Sequence, residues 1–406
     1  MNVVILSIGD ELLSGNTVNT NFSWIGRKLS EIGCSIIYQA TIPDNKSTIA
    51  ITLDRLIKMK PQIIITTGGL GPTSDDITRE TIFDYLSVSE LFDKNYWDQL
   101  KNKFNQMGVK IGESNRSQAM VPDRGYIINN PIGSARGFHI DHKEVSIIIL
   151  PGVPSEMKNM INDYVIPLVN KNGIDKKYTA MIRTTGVSES KIFEMTEEAI
   201  IQNSNCTIGY YPSYKGVDIR IKSNDQKLTN DMQSDIINIL DNKVFYSDCD
   251  KSMEQIVVDL AIEKNKKIAV AESCTGGLVG HRITQVSGSS KIFLGGAIVY
   301  SNYLKEKILS VNRLVLEKYG AVSKETAQEM AKNILEKTGA DLGLSVTGIA
   351  GPEGGSADKP VGTVFVGLAD KDNVFVTKRN FINDREVNKL KTSQLALNEL
   401  RMKISE

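Results

Sequence analysis

The chain has 406 residues, 41% hydrophobic, 24% charged and 6% aromatic, an ordinary globular composition with apolar mass for two or three domains. Lys plus Arg and Asp plus Glu each number 48, so the formal net charge is zero and nothing electrostatic favours nucleic acid or an anionic membrane as the main partner. No run approaches the roughly 18 to 20 apolar residues of a bilayer span, and the opening MNVVILSIGDELLSG has no basic n-region and no small-residue cleavage site, so a soluble cytoplasmic protein is expected.

Residues 1–168 alternate short apolar runs (3–8, 36–40, 63–67, 145–150) with amphipathic stretches (24–32, 49–59), the pattern of βαβ units and a parallel, doubly wound sheet. A polar, Lys-rich stretch, 169–177, reads as a linker. Strands near 179–184, 207–211 and 217–222 with helices 188–201 and 228–240 make a small α+β module, placed at 169–250. Residues 251–406 return to α/β alternation: helix 253–263, strands 268–271, 297–300, 342–346 and 361–368, and helices 323–337 and 386–402, the first capped by Ser323. The fold class is therefore α/β: two three-layer α/β domains joined by a small α+β module.

Four scattered cysteines (Cys34, Cys206, Cys249, Cys274) without a CxxC pair indicate neither a disulfide framework nor a thiolate zinc site. Three histidines leave acid/base work to carboxylates, lysine or tyrosine. In the first domain, Gly and acidic residues gather where strands end: Gly9-Asp10-Glu11, then Gly68-Gly69-Leu70-Gly71-Pro72-Thr73-Ser74-Asp75-Asp76, then Pro151-Gly152-Val153-Pro154-Ser155-Glu156. Ligands of open α/β sheets bind there, and Gly-rich turns let backbone N–H groups reach phosphate oxygens. Carboxylates beside phosphates call for a hard cation, so Asp10, Glu11, Asp75 and Asp76 are candidate ligands of magnesium or a similar divalent metal. The alternative is that each loop only builds a turn and caps a helix. No Gly-Lys dipeptide and no GxGxxG occur, which removes a P-loop and a dinucleotide-binding Rossmann fingerprint.

The runs GDELLSGNTVNTN, TTGGLGPTSDDITRE, NNPIGSARGF and ILPGVPSEM resemble the N-terminal domain of the competence/damage-inducible CinA family, itself similar to the molybdopterin-binding MoaB/MogA family. The resemblance implies that Gly68, Gly69 and Gly71, with Asp44 and Asp76, hold a phosphorylated ligand. It also implies metal-assisted hydrolysis of ADP-ribose to AMP and ribose phosphate. Arg136 stands where Pro is frequent in that family.

In the last domain, Ala271-Glu272-Ser273-Cys274-Thr275-Gly276-Gly277 joins an apolar strand to the amphipathic 278–286, so Ser273 sits on a strand-to-helix turn. A hydroxyl there, with the orphan N–H groups of a helix start aimed at the same spot, has the geometry of a nucleophile beside an oxyanion hole. The alternative is that Ser273 or Thr275 caps the helix; Cys274 fits a small buried hydrophobe better than a nucleophile. Lys305 is the candidate base and Tyr300 a hydrogen-bonding relay between it and the serine, provided that burial lowers the lysine pKa from about 10.4. Taken without the serine motif, Lys305 beside Glu306 and Lys307 reads as a solvated helix charge. The Gly-rich 345–364, with Thr347, Gly348 and Gly351, is expected to wrap a ligand, and Asp384-Arg385 to clamp an anion.

AESCTGGL, GGAIVYSN with Lys305, SVTGIAGPEGGS and KPVGTV match the C-terminal CinA domain, which is similar to nicotinamide mononucleotide deamidase. The resemblance implies Ser273 as nucleophile, Lys305 and Tyr300 as partners, and Thr347 and Arg385 at the site; Thr275, Gly276 and Gly277 of the serine turn are further candidate substrate contacts, and no cofactor is expected for this domain. The whole-chain expectation is a bifunctional pyridine-nucleotide salvage hydrolase acting on nicotinamide mononucleotide and ADP-ribose, as a homodimer. The alternative is a non-enzymatic nucleotide- or pterin-binding interaction protein. The middle module resembles a KH fold but lacks the GxxG clamp, which points to a structural or dimerising role rather than RNA recognition.

Overall fold

In the computed structural model, residues 1–171, 178–202 and 205–406 are described, and they divide into two units, Met1–Tyr178 and Thr179–Glu406. Of the linker expected at 169–177, the first three residues close the helix Ile166–Lys171 and the rest lie outside the described residues.

The first unit is built on a six-stranded sheet. Asn2–Ile8 lies between Ser35–Ile42 and Ile63–Thr67, both parallel to it, and Ile63–Thr67 pairs in parallel with Val145–Leu150. The sheet is not wholly parallel as expected: Gly137–His142 and Tyr126–Ile128 extend it antiparallel. The reason is local. His142 and Val145 face each other across Lys143-Glu144, a connection too short for a parallel crossover, with Lys143 at φ 56. Each face of the sheet has its own buried core. One holds Ile49, Leu53, Leu56, Phe83 and Phe138, the other Ile25, Leu29, Met157 and Met160, so the unit has three layers.

The second unit joins two modules. Tyr178–Thr184, Thr207–Ser213, Gly216–Ser223 and Phe245–Ser247 form a four-stranded sheet covered by Glu189–Gln202 and Gln226–Ile239 around Ile182, Ile192, Ile219 and Ile236. The other module is a five-stranded sheet. Ile268–Glu272 is its second strand, parallel to both neighbours, the edge strand Phe293–Ile298 and the central Leu342–Gly348, and two antiparallel strands, Thr363–Ala369 and Val374–Asn380, complete it. Helices Met253–Glu263, Leu278–Thr284 and Arg385–Ser405 cover one face, and Arg313–Tyr319 and Lys324–Thr338 the other. Ser323 caps Lys324–Thr338 as expected, accepting from Thr326 N–H. The long helix Arg385–Ser405 also fastens the two modules: Gln394 donates to Thr185 Oγ1, Asn398 to the Lys243 carbonyl and Arg401 to the Asn242 carbonyl. No described helix is long and apolar enough to cross a membrane.

Phe83 is fully buried and meets Phe138 edge-on at 5.3 Å between ring centroids. Phe83→Ala should lower unfolding stability by about 3–5 kcal/mol; urea denaturation reads it, and a loss below about 1 kcal/mol would contradict this packing.

Candidate active site

Ile268–Glu272 is buried at every position, and its end delivers Ser273, whose N–H donates to the Val346 carbonyl on the neighbouring strand at 2.9 Å. The chain then reverses through Gly276 (φ 63) and Gly277 (φ 96), a left-handed pair that other residues adopt only at a cost, into the helix Leu278–Thr284. Neither Ser273 nor Thr275 caps that helix. The cap is Glu272, 1% exposed, whose Oε2 accepts from Gly277 N–H at 3.0 Å and Val279 N–H at 3.1 Å, while Oε1 accepts from Gly280 N–H at 2.8 Å. This corrects the expected oxyanion hole, because a buried carboxylate already occupies those helix-start donors.

Lys305 sits in the helix Asn302–Leu309, whose start Ser301 caps through Leu304 N–H. It is 1% exposed, which excludes the solvated-charge reading. Its Nζ lies 3.1 Å from Ser273 Oγ, 2.9 Å from the Val299 carbonyl and 3.4 Å from the Tyr300 carbonyl. No carboxylate offsets the burial, which pushes the amine below its usual pKa. Cys274 is also buried, and burial pushes its thiol up to about 12, so at neutral pH it stays a packed thiol.

The tyrosine relay is not formed. Tyr300 follows the strand, which ends at Ile298, and is 57% exposed; its hydroxyl accepts from Arg385 at 2.9 Å, and only its carbonyl touches Lys305. Arg385 also donates to the Gly351 carbonyl at 2.8 Å, which ties the Gly-rich loop to the start of the last helix. Asp384 is the N-cap of that helix, accepting from Val387 N–H, and not half of an anion clamp. Thr347 is buried with its hydroxyl donated to the Ala321 carbonyl at 2.7 Å, while Gly348 ends the strand beside it. Thr275 is buried with no partner for its hydroxyl.

In the first unit, the three Gly-containing loops do meet. They line a cleft of about 480 Å³ that includes Glu11, Asp44, Gly68, Gly69, Gly71, Asp75, Asp76 and Glu156. Gly68 (φ 113) and Gly69 (φ 65) are required there: a Cβ on Gly68 would lie 2.0 Å from the Ile8 carbonyl oxygen, and one on Gly69 2.1 Å from Thr78 Oγ1. Asp44 accepts Asp10 N–H at 3.2 Å, and burial pushes its carboxyl up, reinforced by neighbouring acids. The expected metal set is not assembled. Among the described residues no three His, Cys, Asp or Glu side chains converge as ligands, and Asp76 turns back to accept from Thr73 N–H at 3.0 Å and from its hydroxyl. Asp10, Glu11, Asp75 and Asp76 therefore do not fit a preformed metal centre. Arg136 is buried, paired with Asp93 at 2.8 Å and stacked over Tyr96.

Sequence reasoning passed over three residues. Asn21 donates to the Gly152 carbonyl and Thr67 Oγ1, tying two of the cleft loops together. Asn130 does the same for Glu156 and the Ala135 carbonyl. Glu272 carried the clearest missed signal, a charged residue closing an otherwise apolar strand directly before the serine. Glu272→Gln removes one acceptor oxygen and the charge, and is expected to cost about 1–3 kcal/mol of stability. Calorimetric unfolding reads it, and an unchanged Tm would show that the cap is dispensable.

Three family models match in chain order: a probable molybdopterin binding domain over 4–171, a damage-inducible protein CinA KH domain over 179–245, and the CinA C-terminal domain over 250–404. A putative competence-damage inducible protein of Caldicellulosiruptor bescii is 38% identical over 98% of both chains, and one of Clostridium acetobutylicum is 37% identical over 100% of this chain and 99% of its own. Among solved structures, the competence/damage inducible protein CihA of Agrobacterium tumefaciens is 34% identical over 40% of this chain and all of its own, with a TM-score of 0.37. The N-terminal domain is thus MoaB-like, the middle module KH-like and the last a CinA C-terminal domain, and the chain belongs to the CinA family of competence/damage-inducible proteins.

Proposed function

We propose that the C-terminal domain deamidates nicotinamide mononucleotide to nicotinate mononucleotide. The observation that carries this reading is the buried Lys305 amine, 3.1 Å from Ser273 Oγ with two carbonyls as its other neighbours. Carbonyl oxygens only accept, so a neutral amine gives its two hydrogens to Val299 and Tyr300 and turns its lone pair to the serine hydroxyl. Ser273 Oγ attacks the carboxamide carbon while its proton passes to Lys305. The tetrahedral intermediate collapses as Lys305 returns that proton to the departing nitrogen, releasing ammonia and leaving the nicotinate mononucleotide acyl group, its ribosyl phosphate still attached, as an ester on Ser273. Water then adds to the ester carbon and gives a proton to Lys305, which returns it to Ser273 Oγ as the C–O bond breaks. With Glu272 holding the helix-start N–H groups, the Thr275 hydroxyl, buried and unpartnered beside the nucleophile, is the donor this reading assigns to the developing oxyanion.

Ser273→Ala should abolish ammonia release, and Lys305→Met should reduce kcat by about 10²–10⁴-fold; retention of near-normal turnover in either would contradict the mechanism. Activity depends on the unprotonated amine, so it rises with pH through the Lys305 pKa. Burial lowers that pKa, which moves the rising limb to lower pH than an exposed lysine would give. The same burial works against folding. Below the unfolded-state pKa the unfolded chain holds the proton more readily than the folded chain, so Lys305→Met should raise Tm at neutral pH while losing activity.

The N-terminal cleft supports two readings. Its Gly-rich loops fit hydrolysis of ADP-ribose to AMP and ribose 5-phosphate, while its unassembled carboxylates favour a binding-only role for a nucleotide or pterin. Incubation with ADP-ribose, with and without EDTA, separates them. AMP formation that Asp44→Asn abolishes supports hydrolysis, and saturable binding without product supports the second.

A further inference from the structure

We propose that the cavity between the KH-like module and the C-terminal domain is a second ligand site, built for an anion that carries an aromatic ring, of the mononucleotide class. The cavity lies inside the second unit, holds about 400 Å³, and none of its lining residues belongs to the serine site. That is the size of a pocket for one small molecule. Its walls come from both modules. One is the tip of the hairpin between Thr207–Ser213 and Gly216–Ser223, which Ser213 holds in shape: its hydroxyl accepts from Lys215 N–H at 3.2 Å and donates to the Gly216 carbonyl at 3.1 Å. The other is the part of Arg385–Ser405 that carries Lys391, Gln394 and Asn398, with Arg379 and Phe381 from the segment before it. Between them, Gln394 donates to Thr185 Oγ1 and accepts from Arg282 at 2.7 Å, and Thr185 donates to the Lys215 carbonyl at 2.9 Å. The two walls are therefore fixed against each other without a ligand.

Three cations line the cavity, Lys215, Arg379 and Lys391, against one carboxylate, Glu189, in a chain whose net charge is zero. None of the three forms an ion pair among the described residues. Glu254, a carboxylate that the charge of Lys215 reaches, is held by Arg282 at 2.6 Å. Arg379 gives one guanidinium N–H to the Lys378 carbonyl at 3.0 Å. A concave wall dominated by one sign of charge concentrates its field and draws the opposite charge, and Arg and Lys together suit a phosphate. The aromatic side chains set the rest of the ligand. Tyr214 is 58% exposed at the hairpin tip, its ring centre 5.9 Å from Lys391 Nζ, and Phe381 is half-buried on the opposite wall. Flat π-faces of this kind take a planar base by stacking. A carboxylate accepts hydroxyl donors, which gives Glu189 the sugar as its partner. Inorganic phosphate would use the cations alone and an uncharged nucleoside the rings alone; a mononucleotide uses both within one cavity.

Titration calorimetry of AMP into the full chain tests this, AMP serving as a probe with one phosphate and one planar base, beside adenosine and inorganic phosphate. Binding of AMP should weaken by about 10- to 100-fold when Arg379→Met and Lys391→Met are combined. It should weaken by at least about 5-fold in Tyr214→Ala, a substitution at an exposed hairpin tip outside the buried cores. Adenosine and phosphate should each bind more weakly than AMP. AMP affinity that neither variant lowers belongs to another cleft and overturns the proposal, as does the absence of AMP binding; adenosine or phosphate binding as tightly as AMP overturns the ligand class. Photolabelling of the full chain with azido-AMP and peptide mass analysis locates the contact. Label on the peptides that hold Tyr214 or Phe381 supports the site, and label confined to other peptides overturns it. Neither measurement depends on ammonia release, so the outcome is separate from that of the deamidase reading.

Discussion

The C-terminal site depends on keeping one amine out of water with no acid beside it. Lys305 is enclosed by the end of the Phe293–Ile298 strand and its own helix, and its hydrogen-bond partners are two carbonyls and the serine hydroxyl. An aspartate or glutamate in that position would hold the proton and make the amine a structural cation. The surrounding fold serves this exclusion. Ile268–Glu272 is buried throughout between two parallel neighbours, so the turn that follows it is fixed on both sides, and Glu272 holds the helix start with its carboxylate.

The first unit builds its cleft by a different principle. There, loops from the ends of several strands converge, and glycines at positive φ bring backbone close to backbone, as at Gly68 against Ile8. Asparagines tie the loops together across large sequence separations, Asn21 to Gly152 and Asn130 to Glu156. The result is a cavity whose walls are backbone dipoles and carboxylates. That suits recognition of a polar ligand, and its acids do not converge on a common point.

Much of this was legible in the sequence because apolar runs bounded by Gly and Pro mark buried strands well. Ile63–Thr67 and Val145–Leu150 stand where their β-branched runs place them. The antiparallel strands were hidden, since direction is set by connection length and not by the strand's own pattern; Lys143-Glu144 contains no glycine to announce a hairpin. At the site, the pairing of Ser273 with Lys305 follows from two turns at the same sheet end. The tyrosine role did not follow, because Tyr300 lies past the strand end, where the outward path of the chain carries its ring to Arg385. The capping role of Glu272 was hidden by the habit of assigning helix caps to Ser or Thr. A carboxylate one position earlier reaches three N–H groups that those shorter side chains do not.

The central claim is that Ser273 becomes a covalent carrier of the acyl group because a neutral Lys305 takes its proton. Peptide mass analysis of the chain quenched in acid during turnover of nicotinamide mononucleotide tests it directly. The account predicts a nicotinate mononucleotide acyl ester, ribosyl phosphate included, on the peptide containing Ser273, formed more slowly as pH falls and about 10²–10⁴-fold more slowly when Lys305 is replaced by methionine. Ammonia release with Ser273 unmodified at every quench time, and insensitive to loss of Lys305, would contradict it.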